Sequence, residues 1–470
     1  MTARTRTLRT FAITSLALFM VTLDNLVVTT ALPVIRRSLH ADLPQLEWTV
    51  NAYTLTFAVL LLTGAALGDR FGRRRVFSLG LVLFTLGSAA AALAPSASAL
   101  IAARAFQGGG AAMVLPLTLT LLSAAVPPQR RGVALGAWGA IAGLAVAVGP
   151  IVGGAVVQGI SWQWIFWLNV PIGLALAPLA RLRLEESHGP DRQLDLSGLA
   201  LASAALFGIV WGLVRANSIG WGSPEIVAAL AGGTSVLAGF VLYELRSRAP
   251  MLPIRFFRDR TFSGANLSSL LMFFGMFGSV FLLAQFFQTV QAMSPLDAGL
   301  RILPWTAMPL LVAPTAGALS DRISGRTLLA LGLALQGAGL LWIGLVLDAG
   351  TSYGALIIPF VLSGIGMGLF FAPVANLVLS SVRREQEGKA SGASSAIREL
   401  GGVLGIAVLA SIFAHAGGYT SAATFVAGLT PAILVGAVVV LAGAAVAALI
   451  PGRRQAQVSA AADALEVAVA

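Results

Sequence analysis

Asp24 lies about halfway along an otherwise apolar run from Phe11 to Ile35. A carboxylate at the centre of a membrane helix costs roughly 2.5–3.5 kcal/mol on insertion scales, and protonation removes most of that cost. Such a residue is suited to carrying or sensing protons. A second acid, Glu399, follows Arg398 inside a later run. If that run starts near Ser391, Glu399 lies about 12 Å along it at 1.5 Å per residue, deep in hydrocarbon. It either makes a passive ion pair with Arg398 or Arg104, or titrates as a second site for protons or a cationic substrate. Arg104, a few residues inside another run, either snorkels to an interface or modulates the protonation of Asp24. The remaining acids that can be placed fall in loops, at helix ends or in the tail.

The runs that hold these groups dominate the composition. Charged residues make up 10% of the 470, against about 25% in soluble domains, and mean hydropathy is +0.88, so the chain is built to face lipid. It has no Cys, and His40, His188 and His415 show no metal-ligand spacing. No cofactor is expected. No G-x-x-x-x-G-K-(S/T) loop is present, which points to an ion gradient, with protons as the coupling ion, rather than ATP. The net charge of +11 is spread over short loops between apolar runs, a pattern that sets topology rather than one that binds nucleic acid. Arg4, Arg6 and Arg9 precede a run too long for a signal peptide, with no small-x-small cleavage site before Pro33, so it reads as an uncleaved first span.

A span needs roughly 20 apolar residues. Fourteen are expected, near 11–35, 47–67, 76–95, 99–124, 132–157, 162–180, 196–215, 225–245, 262–290, 296–319, 327–347, 353–380, 391–415 and 425–450. Assigning loops alternately puts 24 of the 30 basic residues on the side of the N-terminus. Arg36, Arg37, Arg215 and Arg301 fall on the other side, so both termini are expected in the cytoplasm. Polar stretches divide the chain into a six-helix bundle (1–184), two additional helices with linkers (185–260), a second six-helix bundle (261–452) and a tail (453–470). An Asp-Arg pair, Asp69-Arg70 and Asp321-Arg322, recurs after the second helix of each bundle, as expected of duplicated halves with a site at their interface.

Several motifs converge. The loop Ala65-Ala66-Leu67-Gly68-Asp69-Arg70-Phe71-Gly72-Arg73 offers a turn at Gly72, a carboxylate that can oppose a helix N-terminus, and arginines that can pair across one face. Leu100-Ile101-Ala102-Ala103-Arg104-Ala105-Phe106-Gln107-Gly108-Gly109-Gly110 lies in the fourth helix. Gly149-Pro150-Ile151-Val152-Gly153-Gly154 lies in the fifth, where glycines four apart allow close helix contact and Pro150 adds a bend. Leu23-Asp24-Asn25-Leu26-Val27-Val28 and Trp162-Gln163-Trp164-Ile165-Phe166-Trp167-Leu168-Asn169-Val170-Pro171 complete the set, with Ile397-Arg398-Glu399-Leu400-Gly401-Gly402 in the thirteenth helix.

Together these motifs resemble the major facilitator superfamily, and within it the fourteen-helix drug:proton antiporters that export quaternary ammonium compounds and other drugs. The sequence departs from the family pattern at Ala65 and Ala145, where Gly is usual, at Gln163, where Arg is common, and at Glu399, where Gln is common. The resemblance implies an all-α membrane fold of two six-helix bundles plus two helices, working by alternating access. Proton coupling would fall to Asp24, Arg104 and Glu399. Asp69, Arg70, Gly72 and Arg73, with Asp321 and Arg322, would form a latch, and Gly149, Pro150, Gly153 and Gly154 would mark an exporter. Polar groups on lipid-embedded helices are expected to face inward, so Asn25, Gln107, Gln285 and Asn376, with the aromatics Phe274 and Phe281, are expected to line a drug cavity. The expected partners are a drug or metabolite substrate and the bilayer of a bacterial inner membrane, around a monomeric chain. A dedicated exporter of one endogenous metabolite, or a proton-coupled importer, remain alternatives.

Overall fold

In hydrocarbon no water satisfies the backbone, so each apolar run must close its hydrogen bonds within itself, and the helix does this. The computed structural model describes residues 3–41, 43–127, 130–189, 195–247, 250–319 and 323–451, and among them it is helical throughout, without strands. The first bundle comprises α1 (Ala3–Leu39), α2 (Leu43–Phe71), α3 (Arg73–Ala92), α4 (Ala97–Ala125), α5 (Arg131–Gly159), and a sixth span formed by α6 (Trp164–Trp167) and α7 (Asn169–Arg183). A pair follows, α8 (Leu196–Ile219) and α9 (Pro224–Arg246). The second bundle comprises α10 (Arg260–Gln285), which continues through a π turn to Val290, then α11 (Pro295–Thr306) and α12 (Met308–Leu319) as one broken span. It is completed by α13 (Gly325–Val346), α14 (Tyr353–Ser380), α15 (Glu387–Ala416) and α16 (Ala422–Ala448). Among the described residues thirteen spans are long and apolar enough to cross a membrane, and α5 makes fourteen if its bent segments count as one. The 40° bend in α5 falls between Val146 and Ile151, the interval that contains Gly149 and Pro150.

Lipid-embedded helices associate by close packing of small residues rather than by a hydrophobic driving force. Gly64 on α2 lies against the Ala112 carbonyl of α4, and Gly110 on α4 against the backbone of α3 at Gly80 and Phe84, leaving no room for a Cβ at either. Each bundle has its own core, around Phe77, Phe84 and Leu122 in the first and around Phe286, Phe360, Phe370 and Phe425 in the second.

Two seams join the bundles. Along one, α5 turns Gly136, Gly139, Gly143 and Gly154 toward Ala313, Phe371, Pro309 and Leu296 of the second bundle, while Gly149 and Gly153 turn toward Leu26, Val27 and Thr30 of α1. The other is covered by α8, whose Val210 and Leu213 pack with Leu55 and Ala58 of α2 and with Val403 and Ala407 of α15. Asn217 of α8 also donates to the Ala407 carbonyl at 3.1 Å. α9 packs on α8 where Gly208 meets Gly233 and is otherwise largely outward-facing.

Candidate functional site: a buried ion pair, a seam cavity and a clasp

Asp24 is 2% exposed, and both of its oxygens accept hydrogen bonds. Oδ2 accepts from Arg104 Nη1 at 2.5 Å, while Oδ1 accepts from Gln107 Nε2 at 2.9 Å and from Asn169 Nδ2 at 2.7 Å. Arg104 is wholly buried. It also donates to Gln107 Oε1 at 2.6 Å and to the Thr49 carbonyl at 3.3 Å, and it lies 4.2 Å from the centroid of the Tyr53 ring. Ser88 Oγ accepts from Gln107 and Asn169. A charge this far from water persists only when paired and hydrogen-bonded, and the cluster supplies both. Arg104 therefore does not snorkel; it reaches inward to Asp24.

Two of these residues correct or extend the sequence reading. Gln107, expected to line the drug cavity, is instead buried within the Asp24 cluster. Asn169 was legible in a motif but carried no assigned role. It opens α7 just after the interruption at Leu168, which turns its side chain onto Asp24.

Beside the cluster, at the seam between the bundles, lies a cavity of about 70 Å3. Its walls are Asn25, Thr22 and Leu26 of α1, Tyr53 and Phe57 of α2, Trp138 of α5, Phe273, Met276 and Phe277 of α10, Met367 and Phe371 of α14, and Arg398 and Glu399 of α15, with Leu18, Val21, Leu115, Ala142 and Val146. The cavity is smaller than the roughly 300–1,000 Å3 of typical small-molecule sites. Asn25 faces this cavity as expected from sequence, and Glu399 faces it as well. No hydrogen bond and no contact ion pair reaches Glu399 among the described residues, Arg104 being taken up by Asp24 and Arg398 by Ser395.

The remaining cavity candidates lie elsewhere. Phe274 packs beside the core and its backbone meets Gly405; the neighbouring Phe273 and Phe277 line the cavity instead. Phe281 is 42% exposed, on the outward face of α10. Gln285 donates to the Phe281 carbonyl and accepts from the Tyr419 hydroxyl at 2.5 Å, away from the cavity. Asn376, on α14, is not among the cavity's walls. Among the described residues no cluster of three or more His, Asp or Glu could hold a metal.

A clasp closes the arginine-rich face of the seam. Asp69 and Arg73 form a buried ion pair at 2.8 Å, and the Asp69 carboxylate abuts Gly388 in the first turn of α15, where no Cβ would fit. This opposes a negative charge to a helix N-terminus across the two bundles. Gly72 has φ of +105°, which only Gly adopts without strain, and a Cβ there would also strike Glu186. Glu186 accepts from the Arg74 backbone N–H at 2.9 Å and lies near the Arg74 and Arg75 guanidinium groups. Glu387, one residue before Gly388, accepts from Ser123 Oγ at 2.9 Å and from Arg131 Nη1 at 3.2 Å, and Ser391 Oγ donates to the Pro116 carbonyl at 2.9 Å. Sequence reasoning missed Glu387 and Arg131 because both read as loop charges. Arg70, expected in the latch, is exposed and lies over Phe71, 5.8 Å from its ring centroid. Asp321 and Arg322 lie outside the described residues.

A family model described as Major Facilitator Superfamily matches residues 14–302 and 265–466. The chain is 36% identical over 402 residues to the tetracenomycin C resistance and export protein of Streptomyces glaucescens, covering 85% of this chain and 74% of that one. It is 38% identical over 409 residues to the multidrug resistance protein Stp of Mycobacterium tuberculosis, covering 87% and 76%. The methylenomycin A resistance protein of Streptomyces coelicolor is 35% identical over 391 residues, covering 83% and 82%. Among solved structures, the human organic anion transporter MFSD10 aligns with a TM-score of 0.66 at 16% identity, covering 92% of this chain and 99% of that one. The proton:xylose symporter XylE aligns with the same TM-score at 13% identity, covering 96% and 97%. At these identities the likeness shows the fold.

Proposed function

The chain belongs to the Major Facilitator Superfamily, and from that premise we propose that it exports drugs or other amphipathic small molecules across a bacterial inner membrane in exchange for protons. The observation that carries this reading is Glu399, an unpartnered carboxylate in a cavity otherwise lined mainly by aromatic, Met and aliphatic side chains at the seam of the two bundles. A carboxylate so placed can hold a proton or a substrate's cationic group, but not both at once. Mutually exclusive occupancy is what antiport requires. Asp24, sealed beside the cavity, supplies the second site of coupling, released when α1 moves relative to α4.

The outward direction draws support from the relatives, which are named for resistance and export. The bias of arginine toward one set of loops supports cytoplasmic termini, and on that reading the clasp is a cytoplasmic gate, closed in this state. Moving one charge inward across 100 mV yields about 2.3 kcal/mol. Since about 1.4 kcal/mol is a tenfold ratio, exchange of one proton for a neutral substrate, which moves one net charge, sustains roughly a fifty-fold outward gradient; for a monovalent cation the exchange is electroneutral and the pH gradient alone drives it. The relatives named for a single compound, tetracenomycin C or methylenomycin A, favour as a second reading a pump dedicated to one metabolite. A susceptibility panel with and without the protein separates the two.

The test of coupling uses proteoliposomes with an imposed pH gradient. The wild type should drive tetraphenylphosphonium, a lipophilic cation, against its gradient. Glu399→Gln should lose at least about tenfold of that rate, the worth of one charge-assisted contact, and lose less for a neutral drug. Undiminished cation transport by Glu399→Gln would overturn the assignment.

A further inference from the structure

Arg398 is a cavity charge with no counter-charge in contact. Its guanidinium carbon lies 5.6 Å from the ring centroid of Phe273 and 5.9 Å from that of Trp138. Nη2 donates to Ser395 Oγ at 3.3 Å, Nε is buried without a hydrogen-bond partner, and no ion pair reaches the side chain among the described residues. Glu399 is the next residue, but successive side chains on a helix diverge by about 100°, and the two line the cavity without forming a contact ion pair, close enough that each feels the other's charge.

The contrast with Arg104 is informative. That guanidinium is also buried and leaves Nη2 without an acceptor, yet it pairs with a carboxylate and donates to an amide oxygen and a backbone carbonyl. An arginine inside a membrane span is costly unless something pairs with it. Arg398 lies beside aromatic faces, Trp138 from one bundle and Phe273 from the other, and its Nε–H has no acceptor. Cation–π contact offsets part of the cost but supplies no acceptor.

We propose that the cavity takes amphoteric aromatic substrates: an acidic group of the substrate pairs with Arg398, a protonated amine or other donor faces Glu399, and the aromatic body lies between Trp138 and Phe273. This inference rests on the export reading and names its substrate class. A proton arriving at Glu399 then displaces the donor end, while Arg398 keeps selecting for the acid.

The test compares a carboxylated rhodamine with its ethyl ester, the same ring system with and without the acid, by fluorescence anisotropy on the purified full-length protein in detergent. The wild type should bind the acid more tightly than the ester. Arg398→Gln should weaken the acid by at least about tenfold, the loss of a charge-assisted pair, and leave the ester within about threefold. Arg398→Lys should keep part of the preference. Retained ester binding shows that the variants are folded. Equal losses for both dyes in Arg398→Gln, an undiminished preference for the acid, or no binding of either dye to the wild type would overturn the inference. Proton-driven movement of the ester in proteoliposomes is read separately. Its absence in the wild type would overturn the export reading, while the binding comparison still decides the role of Arg398.

Discussion

Asp69→Asn isolates the contact between the bundles at the clasp. Asp69 and Arg73 are four residues apart in the same bundle, so their ion pair travels with that bundle when the seam opens. What opening breaks is the contact of the Asp69 carboxylate with the first turn of α15 at Gly388. A charge at a helix N-terminus contributes about 0.3–1 kcal/mol when exposed and up to about 2 kcal/mol when partly buried. Asp69 is 5% exposed, so the upper part of that range, about 1–2 kcal/mol, applies. Asn keeps the shape and removes the charge, and the open population should rise about five- to thirtyfold. Arg73 loses its anion in both states; that lowers Tm without changing the ratio of open to closed. The chain has no Cys, so a single Ser391→Cys substitution reports on the seam against no background. Ser391 is fully buried in the closed clasp. Its labelling by a maleimide should accelerate in Asp69→Asn by the same factor and stay unchanged in Arg70→Asn, whose side chain is exposed. An unaltered labelling rate in a well-folded Asp69→Asn protein, or equal acceleration by Arg70→Asn, would refute the clasp.

Two further outcomes follow from the geometry. Asp24→Asn strands the wholly buried Arg104, which should cost about 3–5 kcal/mol and lower Tm as well as abolish exchange; the double variant Asp24→Asn/Arg104→Gln should regain most of the Tm but none of the proton-driven exchange, and regained exchange would remove Asp24 from the coupling scheme. Gly153→Leu drives a side chain into Thr30 and Val27 of α1 and should lower Tm and stop transport, whereas Gly159→Leu, which points into open space, should leave both unchanged in thermal melts and flux assays.

What the sequence revealed follows from what lipid penalises. Spans are legible because a helix without water needs a set length and hydropathy, and Asp24, Arg104 and Glu399 stand out because a charge there is expensive. Helix phase is not legible in the same way. Between Leu270 and Gly278 α10 has no polar side chain, so its phase there can be read only from the buried Asn266, Ser269 and Ser279 on either side. Choosing Phe274 and Phe281 over Phe273 and Phe277 is a rotation of about 100°, and it exchanges the cavity wall for the core edge and the outward face. Gln107 was rightly expected to face inward, but inward includes both the ion-pair cluster and the cavity, and only contacts separate them. Asn169 falls in the middle of the expected span 162–180; its bond to Asp24 depends on the interruption at Leu168.

The two acids divide the work according to where their neighbours belong. Every donor to Asp24 comes from its own bundle, Arg104 and Gln107 from α4 and Asn169 from α7. A rigid rocking of one bundle against the other leaves that cluster intact. Glu399 stands in the second bundle and shares its cavity with Asn25, Tyr53 and Trp138 of the first, so rocking changes its surroundings directly. Asp24 can respond only if α1 shifts within its own bundle. The residue after it, Asn25, lines the cavity, so a substrate that displaces α1 there also strains the bond to Arg104. The proposed exchange would therefore need two motions, a rocking that switches the access of Glu399 and a displacement of α1 that opens Asp24, with the first helix as the link between them.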